Sequence, residues 1–430
     1  MQKLGIIGTG YVGLVTAAVF ADLGNKVICQ DSDYNKIKKL QKGTMPIYEP
    51  GLKRMVKKNL KAKRLIFTHN LPDVVNKSLI IFICVGTPPR PDGSADLSCV
   101  EAVARRMAGT MKDYKVIVGK STVPVETGER IRQTIRRYNR RGAIFSIVSN
   151  PEFLREGSAI EDTLHPDRII LGVEDKQAEK IMRALFKPIK APIVVTDIKT
   201  SEMIKHASNS FLATKISFIN AVAQICENVG ADVVKVAEGM GLDKRIGRAF
   251  LNAGCGFGGF CFPKDLEAFI YIAKKSGYDF GLLNEVAGIN KEQKQLLLKK
   301  VEEAVWIIRG KTIGVLGLSF KPNTDDIRFS VSLDVIRMLM DEGAKIKAYD
   351  PQAMPKVKKE FKKIRLCKGP YEAARNSDCL LIMTEWEEFG SLDLSRIKKL
   401  LRQPIIVDGR NIFAPKQMKK LGFIYKSIGR

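Results

Sequence analysis

The residue types best suited to covalent chemistry lie together in the stretch Gly254–Asp265, which reads Gly-Cys-Gly-Phe-Gly-Gly-Phe-Cys-Phe-Pro-Lys-Asp. Glycine loses the most conformational entropy on ordering, so such a run favours a place where the backbone passes close to a ligand. Cys261 follows the glycines and precedes Lys264 and Asp265. An accessible thiol beside a cation and an acid is what a sulfur nucleophile requires. The alternative is a buried structural cysteine beside a turn, because free cysteine is often buried.

A dinucleotide-binding pattern stands at the start of the chain. An apolar run at Lys3–Ile7 predicts a strand, and Gly8–Gly13 reads Gly-Thr-Gly-Tyr-Val-Gly before a helical pattern. The next predicted strand, Val27–Gln30, ends at Asp31. Strand, glycine turn, helix, strand and acid form the setting in which this fingerprint binds a dinucleotide.

Each residue of the fingerprint has a distinct predicted role. Gly8 permits the tight turn, Gly10 lets a pyrophosphate approach, and Gly13 lets helix and strand pack closely. The first amides of the helix then face the phosphates. Asp31 is predicted to accept a hydrogen bond from a ribose 2′-hydroxyl and to repel a 2′-phosphate, which favours NAD over NADP.

Strand-like runs continue to alternate with helical patterns through the first half of the chain. They lie at Leu65–Thr68, Leu79–Val85, Val116–Lys120, Ile144–Val148, Ile169–Val173 and Ile193–Thr196. This alternation predicts a doubly wound α/β domain with a parallel sheet. Residues just past the carboxyl ends of such strands line the ligand crevice, so Thr87 and Thr122 are candidate ligand contacts. Turn chemistry beside the neighbouring prolines is the alternative for both.

The loop Asn150–Gly157 follows a further strand at the same edge of the predicted sheet. In it, Glu152 and Glu156 bracket Arg155. Either the loop covers the reacting centre, or it is a capped turn followed by a solvated acid.

A long helical pattern runs from an N-cap at Asp197 to about Val229. Thirty residues of helix would span about 45 Å, which predicts a spine that joins two domains and serves as a dimer interface. Lys205 and Asn209 are four residues apart and share one helix face. We interpret them as an inward-facing polar site, with a solvated helix edge as the alternative. The predicted apolar side comprises Ile204, Phe211, Leu212, Ile216, Ile219, Ala223 and Ile225.

A second unit of strand, glycine turn, helix, strand and acid begins after residue 310. It contains Thr312–Gly317 and the strand Lys345–Tyr349, which ends at Asp350. The full fingerprint is missing, so we expect a second Rossmann-like domain without a second NAD. The polar loop Phe320–Arg328 is a candidate to close over a phosphorylated ligand.

These patterns predict an α/β protein with two Rossmann-like doubly wound domains joined by a long central helix and an all-α middle region. The expected domains are residues 1–196 for NAD binding, residues 197–309 for the spine helix and the Cys261 loop, and residues 310–430 for the second Rossmann-like domain. A length of 430 residues agrees with a division into two or three domains.

The composition narrows the class of protein. A hydrophobic fraction of 45% and a charged fraction of 27% are typical of soluble globular proteins. The net charge of +26 raises nucleic acid as a partner. The basic residues, however, are spread along helical patterns with little aromatic interleaving, which favours a solvated basic face. We therefore expect neither a nucleic-acid nor a membrane partner, and an NAD-sensing nucleic-acid-binding protein is the distant alternative.

The cysteines and histidines limit the possible sites further. The eight cysteines include no Cys-x-x-Cys pair, which predicts reduced thiols in a cytoplasmic enzyme. The three histidines offer no zinc-site spacing, so no metal is expected. The sequence shows neither a signal peptide nor a stretch of membrane-spanning length.

An NAD domain combined with a nucleophilic cysteine indicates an aldehyde oxidation. A single alcohol oxidation needs a base but no thiol. Sulfur can add to an aldehyde, the thiohemiacetal can give up a hydride, and water can hydrolyse the thioester that remains. Oxyanions form during addition and hydrolysis, and Lys205 and Asn209 are the predicted hydrogen-bond donors to them.

Motifs spread over almost the whole chain resemble those of the UDP-glucose/GDP-mannose dehydrogenase family. In order they are GxGYVG, VGTP, STVP, NPEFLREG, the Lys205/Asn209 helix, GFGGFCFPKD and FKPNTDDIR. The resemblance implies two successive NAD-dependent oxidations of a sugar C6 hydroxyl to a uronate, without release of the aldehyde. It also implies that residues 310–430 bind UDP, and that the protein is a homodimer through residues 197–229. UDP-glucose is the expected substrate, and GDP-mannose and a UDP-N-acetylhexosamine are the alternatives.

The same resemblance implies roles for individual residues. Cys261 is the nucleophile, and Lys205 and Asn209 are the hydrogen-bond donors to the oxyanion. The residues that position water and transfer protons are Asp265, Thr122 and Glu152. Which group accepts the first proton is left open. The implied cofactor positions are Gly8, Gly10, Tyr11, Val12, Gly13, Asp31, Lys36, Thr87, Thr122, Glu156, Lys264 and Arg328. The implied substrate positions are Phe153, Leu154, Arg155, Glu156, Lys205, Asn209, Arg245, Phe250, Leu251, Asn252, Ala253, Gly254, Gly258, Cys261 and Lys321. Arg245 is expected to reach the substrate of the neighbouring subunit.

The chain departs from the family pattern at a few positions. His206 stands where an aromatic residue, usually tyrosine, is common, and Val331 replaces a frequent proline. Glu126 replaces the more usual glycine before Thr127, which puts the water-binding turn in question. The pattern at Pro166–Ile169 favours UDP-glucose over GDP-mannose, on family grounds alone.

Overall fold

A computed structural model describes residues 1–430. The chain divides into two units, of which the first comprises Met1–Ser208 and Glu267–Tyr278. The second unit comprises Asn209–Leu266 and Asp279–Arg430. None of the helices combines the length and the apolar character needed to cross a bilayer.

The first unit is built on an eight-stranded sheet with the strand order β3-β2-β1-β4-β5-β6-β7-β8. Its strands are β1 Lys3–Ile7, β2 Lys26–Gln30, β3 Leu65–Thr68, β4 Ile80–Ile83, β5 Lys115–Gly119, β6 Phe145–Ser149, β7 Ile169–Gly172 and β8 Ile193–Thr196. Neighbouring strands are parallel except β6 and β7, which pair antiparallel. The predicted doubly wound sheet is confirmed, and the prediction that it is parallel throughout is wrong at this one pair.

Helices cover both faces of the first sheet. They are α1 Tyr11–Asp22, α2 Tyr34–Gln41, α3 Leu52–Lys61, α4 Leu71–Lys77, α5 Ser98–Ala108, α6 Thr127–Tyr138, α7 Ala159–Leu164 and α8 Lys176–Phe186. Along β4, Ile80 and Phe82 pack into one apolar cluster, whereas Ile81 and Ile83 pack into another. Both faces are therefore buried, which explains why the strand sequences read as continuous apolar runs.

In chain order, four helices follow β8: α9 Ile198–Val229, α10 Val233–Gly241, α11 Cys261–Lys275 and α12 Gly281–Val305. The predicted spine helix is α9, with 32 residues. Asp197 begins it as predicted, because its carboxylate accepts a hydrogen bond from the Thr200 amide at 2.8 Å.

The predicted apolar side of α9 is divided in the structure. Ile219 and Ala223 are fully buried, but Phe211 and Ile225 have exposed fractions of 66% and 60%. The predicted apolar side therefore includes two residues that the chain itself leaves uncovered. Hydrophobic spacing identifies apolar residues, but it does not show which of them the chain itself covers.

The second unit carries a six-stranded, fully parallel sheet with the order β11-β10-β9-β12-β13-β14. Its strands are β9 Thr312–Leu316, β10 Lys345–Tyr349, β11 Arg365–Leu366, β12 Cys379–Ile382, β13 Ile405–Asp408 and β14 Ile424–Lys426. Its helices are α13 Val331–Asp341, α14 Met354–Glu360, α15 Pro370–Ala374, α16 Glu387–Gly390, α17 Leu394–Leu400 and α18 Pro415–Lys420. The predicted second Rossmann-like fold is confirmed.

Candidate functional site

The glycine turn after β1 leaves open space where the fingerprint predicts a pyrophosphate. Gly8 has φ +96°, and a Cβ there would lie 2.6 Å from the carbonyl oxygen of Cys84. A Cβ on Gly13 would overlap the carbonyl oxygen of Gly8. A Cβ on Gly10, by contrast, would meet no atom within 4 Å. Tight packing behind the turn and free space at Gly10, at the start of α1, fit an approaching phosphate group.

Asp31 lies at the end of β2, beside this turn. Its Oδ2 accepts hydrogen bonds from the Thr9 amide at 2.9 Å and from Lys36 Nζ at 2.8 Å. Burial opposes ionisation of Asp31, but the hydrogen bonds from Lys36, Asp33 and Thr9 outweigh it and lower the pKa of the carboxyl. An ionised acid at this position suits a ribose hydroxyl, which can donate to it. The chain's own residues at this edge therefore fit NAD.

The structure brings Thr87 and Thr122 together past the ends of β4 and β5. The Thr87 hydroxyl donates to the carbonyl oxygen of Thr122 at 2.9 Å. Glu202 of α9 holds the turn that follows, because its carboxylate accepts from the amides of Glu126 and Gly128, each at 2.8 Å. Glu126 has φ +78°, in the left-handed region that favours glycine. The substitution noted in the sequence therefore falls on a position that strains a side chain.

A buried ion pair joins the Asn150–Gly157 loop to α9. Lys205 Nζ lies 3.0 Å from Glu152 Oε1, and the side chains are 4% and 5% exposed. The Glu152 Oε2 also accepts from the Leu154 amide at 2.9 Å. Phe153 lies under two cations, Lys205 at 5.1 Å and Arg168 at 4.0 Å from the ring centroid. The burial of Lys205 and Asn209 excludes the solvated-edge interpretation of this helix face.

Other residues of that loop have different surroundings. Glu156 is buried, whereas the Arg155 side chain is 62% exposed and its Nη2 lies 2.6 Å from Asp162 Oδ1. The Arg155 amide also donates to Asp162, at 2.8 Å. Arg155 therefore braces the start of α7 as the capped-turn alternative describes.

Lys120 is a buried lysine beside this cluster that the sequence patterns did not indicate. Its Nζ donates to Asn150 Oδ1 at 3.0 Å, and Asn150 Nδ2 donates to the Ile170 carbonyl at 2.8 Å. Burial lowers the pKa of Lys120, and the nearby charge of Glu152 partly offsets this effect. The Lys120 side chain thus joins the end of β5 to the start of the Asn150–Gly157 loop, which carries Glu152. A single lysine after an apolar strand gives no sequence signal for such a role.

In the second unit, Cys261 is the first residue of α11 and is exposed. The interpretation as a buried structural cysteine is therefore wrong. A thiol at a helix N-terminus faces the positive end of the helix dipole, which favours the thiolate. All eight cysteines are free thiols.

One turn along α11, Asp265 connects two of the predicted site residues. Its Oδ1 lies 2.5 Å from Lys264 Nζ, and its Oδ2 accepts from Asn209 Nδ2 at 2.6 Å. Asp265 is fully buried and Lys264 nearly so. Positions 261, 264 and 265 share one helix face by their spacing, so the thiol and this charged pair project to the same side.

The glycine loop before Cys261 is held by close backbone contacts. A Cβ on Gly258 would overlap the Phe329 carbonyl oxygen, and the Gly254 amide donates to Asn220 Oδ1 at 2.8 Å. The Arg328 guanidinium stacks 4.3 Å from the centroid of the Phe260 ring. The structure thus brings Arg328 of the polar Phe320–Arg328 loop to the glycine loop, while the Lys321 ammonium lies over the Phe320 ring at 5.8 Å.

The remaining predicted substrate residues follow α10. Phe250 has φ +65° and contacts the Phe262 ring, Leu251 and Ala253 are buried, and Asn252 is exposed. The hydrogen bonds from the Arg245 guanidinium go to Asp243, and the Arg245 side chain is 89% exposed. No hydrogen bond or ion pair brings Arg245 to the other predicted substrate residues of its own chain.

Arg410 is a second residue that the sequence analysis missed. Its guanidinium donates to the carbonyl oxygens of Met383 at 2.9 Å, Phe320 at 3.4 Å and Gly256 at 3.5 Å. It thus ties the glycine loop to segments that follow β9 and β12. Arg410 lies just after β13 in the sequence, but its contact with Gly256, 154 positions away, has no local sequence signal.

Comparison with known proteins gives matches along the whole chain. Models of the UDP-glucose/GDP-mannose dehydrogenase family match residues 2–190 as the NAD binding domain, 199–292 as the central domain and 314–415 as the UDP binding domain. UDP-glucose 6-dehydrogenase TuaD of Bacillus subtilis is 48% identical, covering 100% of this chain and 94% of that protein. UDP-glucose 6-dehydrogenase of Rhizobium meliloti is 47% identical, with 100% of each covered.

Solved structures agree with these matches. A UDP-glucose dehydrogenase from Pyrobaculum islandicum superposes with a TM-score of 0.93 at 38% identity, over 99% of this chain and 97% of that one. A UDP-D-ManNAc dehydrogenase from Pyrococcus horikoshii gives a TM-score of 0.88 at 28% identity, over 100% and 99% of the two chains.

Proposed function

This chain belongs to the UDP-glucose/GDP-mannose dehydrogenase family, and we propose that it oxidises the C6 hydroxyl of UDP-glucose to the carboxylate of UDP-glucuronate. One UDP-glucose, two NAD and one water give UDP-glucuronate and two NADH, with release of protons. The choice of UDP-glucose is supported by full-length relatives that are UDP-glucose 6-dehydrogenases. The observation that carries the chemistry is the exposed thiol of Cys261 at the start of α11.

The thiol accounts for the second half of a four-electron oxidation. After the alcohol has become an aldehyde, the Cys261 thiolate forms a C–S bond to C6, and the carbonyl oxygen becomes an alkoxide. The second oxidation converts this thiohemiacetal to a thioester, and attack by water breaks the C–S bond, returning the thiol and leaving the carboxylate. Bound NAD supplies the hydride acceptor for each oxidation. Covalent attachment retains the aldehyde until it is fully oxidised.

The charged residues of the first unit are proposed to handle protons and the oxyanion. Lys205 donates to the alkoxide, and its ion pair with Glu152 holds its ammonium in place. Glu152 and Thr122 belong to the set that positions water and moves protons. Gly10, Asp31 and Lys36 hold the cofactor, as the open turn and the hydrogen bonds of Asp31 support.

The second unit is proposed to supply the nucleophile Cys261 and the carboxylate of Asp265. Asn209 is held by Asp265, which orients its amide as a second oxyanion donor. Asp265 then acts on the hydrolytic water, and the ion pair with Lys264 holds its carboxylate in place. The glycine loop, Lys321 and residues 250–254 are proposed to contact the nucleotide sugar.

We also propose that the protein is a homodimer through α9. Four exposed apolar side chains, Phe211, Phe218, Ile225 and Val229, are 51–71% exposed and follow each other at intervals of seven, seven and four residues. That spacing places them on one helix face, and an apolar stripe of this kind is typical of a helix that packs against a partner. Sedimentation of Phe218→Asp is expected to show a monomer where the unmodified protein is a dimer.

Counting NADH per nucleotide sugar tests the proposed reaction. The purified protein is given limiting UDP-glucose, GDP-mannose or UDP-N-acetylhexosamine in parallel, and absorbance at completion gives the ratio. We expect two NADH per UDP-glucose and the highest kcat/KM for that sugar. A ratio of one would indicate a simple alcohol dehydrogenase, and a higher kcat/KM with another sugar would overturn the choice of substrate.

A further inference from the structure

Glu49 is a buried acid outside every motif described above. It lies in the segment between α2 and α3, and its side chain is 5% exposed. A carboxylate at such a depth is costly unless hydrogen bonds compensate it. Its Oε1 accepts from the Ala159 amide at 2.7 Å, and its Oε2 accepts from the Gly157 amide at 2.6 Å and from the Tyr11 hydroxyl.

These partners belong to two different parts of the proposed site. Tyr11 is the first residue of α1 and directly follows Gly10 in the cofactor turn. Gly157 ends the Asn150–Gly157 loop, and its φ of +86° lies in the left-handed region. The Gly157 amide also donates to the Tyr11 hydroxyl oxygen at 3.0 Å, which closes a triangle of three hydrogen-bonded groups. One carboxylate therefore joins the cofactor turn to the loop proposed to hold the sugar.

We propose that Glu49 is a positioning residue that couples the cofactor turn to the Asn150–Gly157 loop, so that a bound dinucleotide raises the affinity for the nucleotide sugar. The inference rests on the proposed function, because it takes Tyr11 and Phe153–Glu156 as ligand-facing. A dinucleotide that orders Tyr11 also orders Glu49, and through it the amides at the end of the loop. The sugar then binds to a loop whose conformational entropy is already reduced, which is the condition for positive coupling.

A helix-capping role for Glu49 would have a different consequence. Loss of a cap lowers stability, but it does not link two ligands. Asp175 provides the matched control, because its carboxylate caps α8 in the same unit by accepting from the Ala178 amide at 2.7 Å. Asp175 contacts neither the cofactor turn nor the loop through that bond.

Calorimetric titration of UDP-glucose, with and without saturating NADH, tests the coupling, since this pair binds without turnover. We expect NADH to tighten UDP-glucose binding about fivefold or more in the unmodified protein. The same tightening is expected in Asp175→Ala, which removes the cap of α8. In Glu49→Gln and Tyr11→Phe the tightening is expected to fall below about twofold.

Several results would overturn the coupling proposal. They are coupling retained in Glu49→Gln, equal loss of coupling in Asp175→Ala, or no coupling in the unmodified protein. If Glu49→Gln does not fold, Tyr11→Phe decides the question, because it removes one hydroxyl and leaves the carboxylate. Failure of the unmodified protein to bind UDP-glucose at all would refute the proposed function instead.

Discussion

The two Rossmann-like sheets share a turn geometry and differ in what the turn can bind. Gly8 follows β1 with φ +96°, and Gly317 follows β9 with φ +97°. Two residues later the first turn has Gly10, open to solvent space, and the second has Ser319. The Ser319 hydroxyl donates to Asp350 at 3.0 Å, so a side chain stands at the position of the turn where Gly10 has none.

The acids at the ends of β2 and β10 differ in the same sense. Asp350 is fully buried, and its oxygens accept from the amides of Leu318, Ser319, Gln352 and Ala353. Asp31 is 9% exposed beside the open turn, and its Oδ1 accepts one hydrogen bond, from the Asp33 amide. Strand, turn, helix and acid therefore form a fold motif. A dinucleotide site needs in addition an open glycine and an acid whose oxygens can still accept hydrogen bonds.

The largest expected effect is that of an alanine at Gly317. A Cβ there would overlap the Thr384 hydroxyl in a buried turn at positive φ. We expect Gly317→Ala to lower the free energy of unfolding by about 3 kcal/mol or more, without changing NAD affinity in the folded fraction. Thermal unfolding and NAD titration measure the two quantities.

A substitution at Gly10 in the first turn is expected to have the opposite pair of effects, on NAD affinity and not on stability. Gly10→Ala meets no protein atom, so we expect its melting temperature to stay near that of the unmodified protein. Its NAD affinity is expected to fall by about tenfold or more, because the methyl group occupies the path of the pyrophosphate. Unchanged NAD affinity would show that the open turn is not the cofactor cradle.

Replacing Asp350 or Asp31 by asparagine is expected to affect different properties, the stability of the fold in the first case and NAD affinity in the second. Asp350→Asn places an amide NH₂ among backbone donors and is expected to cost about 3 kcal/mol of stability. Asp31→Asn is expected to weaken NAD binding about tenfold with a smaller loss of stability. If Asp350→Asn weakened NAD binding as strongly as Asp31→Asn, the assignment of the NAD site to the first turn alone would be wrong.

The stability of the region around Glu202 and α6, in the first unit, is expected to depend on pH. Burial raises the pKa of Glu202 to about 7, despite the backbone amides that it accepts from. The folded state then holds a proton that the unfolded state releases, so this contribution to stability declines as pH rises from about 5 through 7. Hydrogen exchange of α6 is expected to lose roughly 2 kcal/mol of protection over that range. Glu202→Gln should remove the decline, and an unchanged decline would point to another group.

The smallest expected effect concerns the strained turn at the start of α6. Glu126→Gly relieves a side chain at φ +78° but adds freedom to the unfolded chain. We expect a stabilisation of about 1 kcal/mol or less, visible as a slightly higher melting temperature. A lower melting temperature would mean that the 3.4 Å ion pair between Glu126 and Lys199 outweighs the strain.

Local patterns in the sequence were sufficient for most of the fold. Strand, glycine turn and acid repeat at short range, so both Rossmann-like units could be predicted, including the loss of the fingerprint in the second. The short edge strands β11 and β14 were missed, since two or three residues carry no readable period. The antiparallel pair β6–β7 was missed because pairing direction depends on the path of the chain between strands.

Residues of the candidate site could be predicted only where they lie close together in the sequence. Cys261, Lys264 and Asp265 are neighbours in sequence, and Lys205 and Asn209 share a helix face by spacing alone. Lys120, Glu49 and Arg410 act through contacts with residues far away in sequence, which no single-sequence pattern contains. Exposure is equally non-local, as the uncovered side chains of α9 show.

The central claim is that the Cys261 sulfur carries the sugar through the second oxidation. The most direct measurement is the NADH yield from UDP-glucose for Cys261→Ser, compared with Cys99→Ser, which changes another exposed cysteine. We predict that Cys261→Ser binds NAD normally but makes no UDP-glucuronate, while Cys99→Ser yields two NADH per sugar. UDP-glucuronate formed by Cys261→Ser at a rate near that of the unmodified protein would contradict it.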